Sequence, residues 1–330
     1  MARILYLSHD TVPATGGMRV IYAHVEVLRR HGFDAYVLHQ KADFRPPGFP
    51  ADVPVLKIRK SMTLLPGDVL VIPETYTALV DWARTRGVRH IIFCQNHFYG
   101  VSAMMTQDRG PNLGAETILC ASRSIARFFR KHCGWRLPVV PCAIDVDLFR
   151  PAPKRLGIAF MPRKRAIEAN LIQFMFRRRF PQHRDVPFVP IQGLPERRVA
   201  EILGRAEIFL SLGWFEGLGL AALEALAAEA LVVGFHGGGG EEYANAENGT
   251  WIRDGDIDGC VAGLGKLLER VKAGDPDLAR VRAAGRATAA AYSIEKRDAA
   301  ILAFWRLMLS APRELATLTA SRPGAAAPAP

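Results

Sequence analysis

Short apolar runs alternate with amphipathic segments along most of the chain, and this alternation limits the fold more than any other feature. Ile4–Leu7, Val69–Ile72 and His90–Cys94 have the length and composition of buried strands. Val20–His31 places its apolar residues at helical spacing, and a glycine follows it. Strands that alternate with helices predict an α/β fold with a parallel, doubly wound sheet.

The same alternation starts again in the second half of the chain. A loop rich in proline and charge, PCAIDVDLFRPAPKR, separates the halves and is the best candidate for a linker. We therefore predict one domain over residues 1–150 and a second over 151–292. A last helix over 293–310 is expected to return toward the first domain, and residues 311–330 are expected to be a disordered tail.

The stretch FEGLGLAALEALA lies between two predicted buried strands of the second half. It contains two carboxylates, Glu216 and Glu224, with Gly217 and Gly219 between them. Eight residues of helix would separate the carboxylates by about 12 Å, which is too far for a glycosidase pair acting across one bond. This spacing fits better with two carboxylates that contact different parts of one elongated ligand. The free N–H groups at the start of the helix are suited to a diphosphate. The alternative is that Glu216 is an acid favoured at the start of a helix by the helix dipole, and that Glu224 is a solvated residue of that helix.

FEGLGLAALEALA resembles the Glu-x7-Glu signature of the retaining GT-B glycosyltransferases of family 4 (group 1). Three more stretches resemble family segments in the same order: PATGGMRVIYAHVEVLRRHGFDAYVL, ASRSIARFFRKHCGWRLPVVPCAIDVDLFRP and GLPERRVAEILGRAEIFLSL. The resemblance covers the chain except its tail. It implies the GT-B fold, in which two Rossmann-like, doubly wound domains face an interdomain cleft.

The resemblance also implies roles for particular residues. Glu216 would hold hydroxyls of the donor sugar, and Glu224 would hold the ribose. Arg163 and Lys164 would neutralise the leaving diphosphate, so that charge stabilisation replaces a general acid. Further contacts with the donor are implied for the backbone around the signature and for a glycine loop of the first domain: Gly217, Leu218, Gly219, Leu220, Gly16 and Gly17.

Two parts of this assignment stay open at the sequence level. The basic residues of MPRKR are adjacent, so Arg163, Lys164 and Arg165 cannot be told apart. His97 follows a strand of the first domain, and the resemblance implies that it contacts the donor sugar or the acceptor. A loop histidine bonded to backbone is the alternative, and His9, Asp10 and Glu74 are weaker candidates at the same edge.

Composition excludes several other function classes. The net charge is +11, and residues 1–150 carry 19 Lys and Arg against 12 Asp and Glu. Such a balance fits anionic partners, but no nucleic-acid-binding signature accompanies it. The first strand lacks a following GxGxxG, which disfavours a dinucleotide oxidoreductase. Asp145-Val146-Asp147 and Asp256-Ile257-Asp258 lie in a linker and a late loop, so we predict no metal site and no cofactor.

We therefore expect a metal-independent, retaining hexosyltransferase. Its donor would be a nucleotide sugar of UDP or GDP type, and its acceptor a glycan, a lipid-linked or a small molecule. The five unpaired cysteines favour a cytoplasmic location, and the basic first domain favours peripheral contact with an anionic membrane. The alternatives are another GT-B enzyme, such as an epimerase or phosphorylase, and a non-catalytic GT-B protein in polysaccharide assembly.

Overall fold

The computed structural model describes residues 2–12, 15–41, 44–46, 49, 52–58, 62–104 and 111–310. The chain forms two compact units. Met1–Pro141 and the chain from Arg297 onward make the first, and Cys142–Lys296 makes the second. The tail predicted for residues 311–330 lies outside the described residues.

The division falls at Pro141, whereas composition suggested residue 150. The loop after Pro141 belongs to the second unit because its backbone is bonded there. Ile144 donates its N–H to the carbonyl of Tyr292 at 2.8 Å, and Ala152 donates to the carbonyl of Gly204 at 3.0 Å. A segment held by such bonds cannot act as a free linker.

The first unit is a parallel sheet with flanking helices. Its elements up to Pro141 are, in chain order, β1 (Ile4–Leu7), α1 (Gly16–Arg30), β2 (Ala35–His39), β3 (Val55–Lys57), β4 (Val69–Pro73), α2 (Thr77–Thr85), β5 (His90–Cys94), α3 (His97–Met104), β6 (Ile118–Cys120) and α4 (Arg123–Cys133). The strand order is β3-β2-β1-β4-β5-β6, with the chain reversing direction across the sheet between β1 and β4. Ligands of such sheets bind at that switch point, beyond the carboxyl ends of the strands.

The second unit repeats the architecture with a smaller sheet. Its elements are β7 (Arg155–Phe160), α5 (Ala166–Arg179), β8 (Phe188–Pro190), α6 (Glu196–Arg205), β9 (Ala206–Glu216), α7 (Leu220–Ala227), β10 (Leu231–Gly238), β11 (Thr250–Trp251), α8 (Ile257–Lys272) and α9 (Asp277–Ala290). The order β11-β10-β9-β7-β8 places the switch point between β7 and β9. The start of α5 follows β7, and the signature begins at the end of β9, so both lie at this point.

The last helix, α10 (Ile294–Ser310), packs on the first unit. Trp305 is fully buried and donates its indole N–H to the Tyr6 hydroxyl in β1 at 2.9 Å. Arg89, which precedes β5, donates to the carbonyl of Met308 at 3.3 Å. No helix in the described part of the chain has both the length and the apolar character to cross a membrane.

Three local features differ from the sequence-based prediction. Helix α1 begins at Gly16 instead of Val20, because the Thr15 hydroxyl accepts the N–H of Met18 at 3.3 Å and caps the helix there. Strand β3 was missed because it is a three-residue edge strand without a buried residue. Helix α3 was missed because HFYGVSAM has no amphipathic pattern.

Candidate functional site

Glu216 is the last residue of β9, and not a turn residue as its sequence context suggested. A β-bulge between His236 and Gly238 of β10 sets its position, so that Gly238 pairs with Glu216. Phe215, just before it, has a positive φ of 47°, an unfavourable conformation for an aromatic residue. The backbone is therefore bent where the first carboxylate of the signature leaves the sheet.

Lys164 forms an ion pair with Glu216. Its Nζ lies 2.8 Å from Glu216 Oε1 and 3.1 Å from the carbonyl oxygen of Trp214. Lys164 follows β7 and Glu216 ends β9, so the pair spans the switch point of the second sheet. Both side chains are about a quarter exposed, and the charges therefore remain accessible to a ligand.

The structure separates the three adjacent basic residues that the sequence could not. Arg165 is buried, where it pairs with Glu168 and Asp254 and lies over the rings of Trp214 and Phe235. Its charge is used within the protein. Arg163 is exposed and makes no ion pair or hydrogen bond within the described residues. Lys164 and Arg163 are thus the basic groups that can reach a ligand here.

The turn after Glu216 leads into a helix without a side-chain cap. Gly219 occupies the N-cap position of α7 with a φ of 90°, in the left-handed region that favours glycine. The backbone N–H groups at the start of α7 thus have no capping side chain, which suits an anion. Leu218 is buried, so only its backbone can face a ligand. Glu224 lies one turn further along α7 and is half-buried.

A second glycine run, Gly237–Gly240, supports this turn from behind. A Cβ on Gly239 would stand 2.4 Å from the carbonyl oxygen of Glu216, and one on Gly237 would stand 2.9 Å from Glu216 Cγ. These contacts leave no space for a side chain. The glycines after β10 are therefore required for the close approach of the two loops.

The predicted residues of the first unit lie at the carboxyl edge of its own sheet. Gly16 and Gly17 form the first turn of α1 instead of a loop. A Cβ on Gly17 would stand 3.2 Å from Gln95 Oε1, so Gly17 packs closely beside the residue that follows β5. As with α7, the start of a helix lies at the carboxyl edge of the sheet.

His97 begins α3 and is buried. Its ring contacts Phe98 and Phe128, with centroids 4.1 Å and 4.6 Å away. Burial lowers the pKa of the imidazole to about 4, so the ring is neutral near pH 7. Its Nδ1 is buried and has no hydrogen-bond partner in the part of the chain that the structure describes. His97 therefore lies at the start of a helix, and its contact with the donor sugar or the acceptor stays a prediction.

Comparison with known proteins identifies the family. Residues 189–286, which include both glutamates of the signature, match the model of the glycosyl transferases group 1. An alpha-1,6-glucosyltransferase from Actinobacillus pleuropneumoniae serotype 7 is 31% identical over 263 residues, which cover 76% of this chain and 79% of that protein. The chain belongs to the group 1 glycosyltransferases.

Solved structures agree on the fold. Sucrose-phosphate synthase from Thermosynechococcus elongatus is similar over 94% of this chain and all of its own, with a TM-score of 0.68 at 15% identity. HepE from Anabaena, solved with UDP, is similar over 93% of this chain and all of its own, with a TM-score of 0.68 at 12% identity. The glycosyltransferase therefore has the GT-B fold that the sequence predicted.

Asp10 and His9, two of the weaker candidates for site residues of this glycosyltransferase, have different surroundings. Asp10 has a structural role, since its carboxylate lies 2.5 Å from Nδ1 of the buried His39 and accepts the N–H of Lys41 at 2.7 Å. His9 lies at the switch point between β1 and β4. Its ring stacks on Tyr76 at 4.7 Å, and its Nε2 lies 3.2 Å from the Thr75 hydroxyl.

Glu74 is a buried carboxyl at the end of β4. It accepts the N–H of Asn96 at 2.8 Å, so it joins the ends of β4 and β5. Burial raises the pKa of this carboxyl to about 7, against the opposing effect of backbone hydrogen bonds. The group is poised to titrate near neutral pH, a property that its sequence context did not indicate.

The two Asp-x-Asp strings have local roles in the backbone. Asp145 accepts the N–H groups of Asp147 and Leu148 at 3.1 Å and 2.9 Å. Asp256 caps α8 by accepting the N–H of Gly259 at 2.8 Å. Both first aspartates thus shape turns, as short acidic side chains commonly do.

Tyr243 is the functional-site residue that sequence reasoning missed. It is buried and donates its hydroxyl to the carbonyl of Gly219 at 2.7 Å, thereby fixing the turn that precedes α7. The available signal was its position, three residues after the glycine run, but nothing in the sequence states which loop such a tyrosine reaches. It positions the site through Gly219.

Proposed function

We propose that this glycosyltransferase moves a hexose from a nucleoside-diphosphate sugar to an acceptor, with retention of configuration. The observation that carries the proposal is the 2.8 Å ion pair between Lys164 and Glu216 beside the open start of α7. A cation, an acceptor carboxylate and a helix start without a side-chain cap together match a diphosphate joined to a sugar.

Each group has a distinct role in this proposal. Lys164 and Arg163 stabilise the charge that develops on the leaving diphosphate, and the N–H groups of Gly217–Leu220 bind sugar and phosphate oxygens. Glu216 accepts hydrogen bonds from the sugar hydroxyls, and Glu224 accepts those of the ribose. Gly16 and Gly17, at the start of α1, provide N–H groups for the diphosphate, and His97 contacts the donor sugar or the acceptor.

The chemistry needs no protein nucleophile and no metal ion. The acceptor oxygen attacks the anomeric carbon on the face from which the diphosphate departs. The departing phosphate oxygen takes the acceptor proton, so one C–O bond forms as the other breaks. The neutral His97 ring can orient a hydroxyl at neutral pH without adding charge.

The relatives narrow the choice of substrates. The name of the Actinobacillus relative favours glucose as the transferred sugar and a glycan as the acceptor. The UDP complex of HepE favours a uridine donor over a guanosine donor. Nucleic acid is not proposed as a partner.

We also propose that the protein is cytoplasmic and contacts the membrane surface peripherally. Helix α5 exposes Ile167 and Phe174, at 82% and 59% of their surface, and carries Arg177 and Arg178 in its last turn. An exposed apolar stripe with arginines suits an anionic lipid surface. Co-sedimentation with vesicles containing anionic lipid tests this: the Phe174→Ser, Arg178→Ser double variant should lose binding. Equal binding by this variant or by neutral vesicles would contradict it.

A donor screen tests the main proposal. UDP- and GDP-sugars are added to the purified protein, and unfolding temperature and nucleotide release are followed. A ligand at 100 times its dissociation constant stabilises by about 2.7 kcal/mol, so the true donor raises the unfolding temperature. NMR of the product then reports the anomeric configuration. No stabilisation by any nucleotide sugar, or an inverted product, would contradict the proposal.

A further inference from the structure

A groove of about 560 Å³ runs along α4 in the first unit, and arginines dominate its wall. Arg123, Arg127 and Arg130 recur at helical spacing on one face of α4 and extend about 10 Å along its axis. Arg136, from the segment after the helix, completes the set. All four side chains are exposed.

These arginines differ from most buried or half-buried arginines of the protein. Arg3, Arg89, Arg165 and Arg282 each pair with a carboxylate. In contrast, the side chains of the four groove arginines form no ion pair or hydrogen bond within the described residues, and α4 contains no acidic residue. The groove therefore presents planar guanidinium forks, which are suited to carboxylate or phosphate groups.

The aromatic residue of the groove, Trp135, has its ring held in a fixed orientation by stacking. Trp135 stacks on the buried Phe129, with centroids 5.7 Å apart and an angle of 18° between the rings. The apolar side chains of Leu137 and Val139 lie beside it in the same groove. A fixed indole and apolar surface between cations suit a ligand with ring carbons as well as anionic groups, which is the chemistry of an acidic sugar chain.

The groove begins beside the candidate site of the first unit. Ser122 caps α4 directly after β6, by accepting the N–H of Ile125 at 3.2 Å. Arg123 therefore stands at the carboxyl edge of the sheet. On another face of α4, Phe128 contacts the His97 ring. A glycan whose terminal sugar lies near His97 can thus continue along the arginines.

We propose that this groove binds an acidic oligosaccharide, namely the part of the acceptor glycan behind the sugar that receives the transfer. The proposal rests on the proposed function, and adds that the acceptor carries carboxylate or phosphate groups. A lipid surface fits less well because the arginines line a concavity with no protruding apolar side chain. A single half-buried aromatic ring gives no platform on which successive bases of a nucleic acid could stack.

Isothermal titration calorimetry on the full chain tests the proposal. The probes are a defined oligogalacturonate and a neutral maltooligosaccharide of equal length, each at low and at high salt. Arg127→Glu, Arg130→Glu removes the groove charge. Arg197→Glu, Arg198→Glu is the matched control, since these arginines of α6 are also exposed and do not line the groove. Circular dichroism confirms that both variants are folded.

We expect the wild-type protein and the α6 control to bind oligogalacturonate with equal affinity, weakened by salt. The groove variant should bind at least about ten-fold more weakly, and the neutral oligosaccharide should not bind. Equal weakening in both variants, or no binding by the wild type, would overturn the proposal. So would tighter groove-dependent binding of anionic vesicles or single-stranded DNA. Nucleotide-sugar binding, measured on the same wild-type sample, reports separately on the proposed function.

Discussion

The carboxyl edges of the two sheets carry different kinds of groups. At the edge of the second sheet, Lys164 and Glu216 are charged and partly exposed. At the edge of the first sheet, Glu74 and His97 are buried. Burial raises the pKa of Glu74 and lowers the pKa of His97, and both shifts favour the neutral form of the side chain. The difference suggests a division of work, with charge stabilisation on the second unit and neutral hydrogen bonding on the first.

The largest effect on activity is expected from removing the positive charge of Lys164 at the carboxyl edge of the second sheet. Lys164→Met deletes the charge that we propose faces the diphosphate, and it leaves Glu216 without the partner of its ion pair. We expect kcat/KM for transfer to fall by about 10²–10³-fold, as when one preorganised donor is lost from a site. Lys266→Met, an exposed lysine of α8, is the matched control and should behave as the wild type. Equal activity in the two variants would remove the distinction between the edges.

The buried Glu74 at the carboxyl edge of the first sheet should make the unfolding free energy depend on pH. The pKa of Glu74 is about 7 in the folded protein against 4.5 in the unfolded chain. The folded state therefore binds the proton more tightly, and the associated stability is complete below pH 4.5 and lost as pH rises through 7. The difference corresponds to about 3 kcal/mol. Urea unfolding from pH 5 to 8 should show this loss as a fall in the unfolding free energy of the wild type relative to a Glu74→Gln variant. The comparison is needed because burial lowers the pKa of His24 and His97, so their own contribution to stability rises with pH.

Glu74→Gln serves as the test of that origin. Because glutamine keeps the shape and an acceptor oxygen but has no proton to lose in this range, the unfolding free energy of the wild type should decline between pH 5 and 8 relative to that of the variant. Parallel pH profiles of the wild type and the glutamine variant would contradict this assignment to Glu74.

A smaller effect is expected from the glycines behind the charged edge. Gly239→Ala places a Cβ 2.4 Å from the carbonyl oxygen of Glu216, so one loop must shift. We expect a loss of about 1–3 kcal/mol in unfolding free energy, together with weaker donor binding. Gly157→Ala is the control, because the nearest atom to its Cβ would be a Pro187 carbon at 3.4 Å. Equal losses in both variants would show that the glycine run is not specifically required.

The smallest effect concerns the tyrosine that holds the signature turn. Tyr243→Phe removes the hydroxyl donated to Gly219 while keeping the ring in the core. We expect unfolding free energy to fall by about 1 kcal/mol and the KM for donor to rise several-fold with kcat nearly unchanged. A change in kcat alone would instead indicate that the hydroxyl takes part in the chemistry.

Much of the fold follows from local patterns in the sequence. Buried strands such as β1 and β5 were predicted with the bounds that the structure shows, because runs of apolar residues between polar loops leave little choice. The short edge strand β3 and the non-amphipathic helix α3 were missed, because contacts distant in sequence decide them. The start of α1 was missed by four residues, although Thr15 is a preferred capping residue.

The site was less predictable than the fold. The spacing of Glu216 and Glu224 indicated a ligand, but the partner of Glu216 depends on the packing of β7 beside β9. Which of Arg163, Lys164 and Arg165 faces that carboxylate is decided by Asp254 and Glu168, which bind Arg165 elsewhere. The contact from Tyr243 to Gly219 spans 24 residues, and no local pattern encodes it.

The most direct test of the central claim compares nucleotide and nucleotide-sugar binding at the charged edge. Calorimetry with the nucleoside diphosphate and with its sugar conjugate is performed on wild type, Glu216→Gln and Lys164→Met. Glu216→Gln should bind the free diphosphate as the wild type does and lose the added affinity of the sugar, whereas Lys164→Met should bind both ligands more weakly. Wild-type affinity for both ligands in both variants would contradict the account.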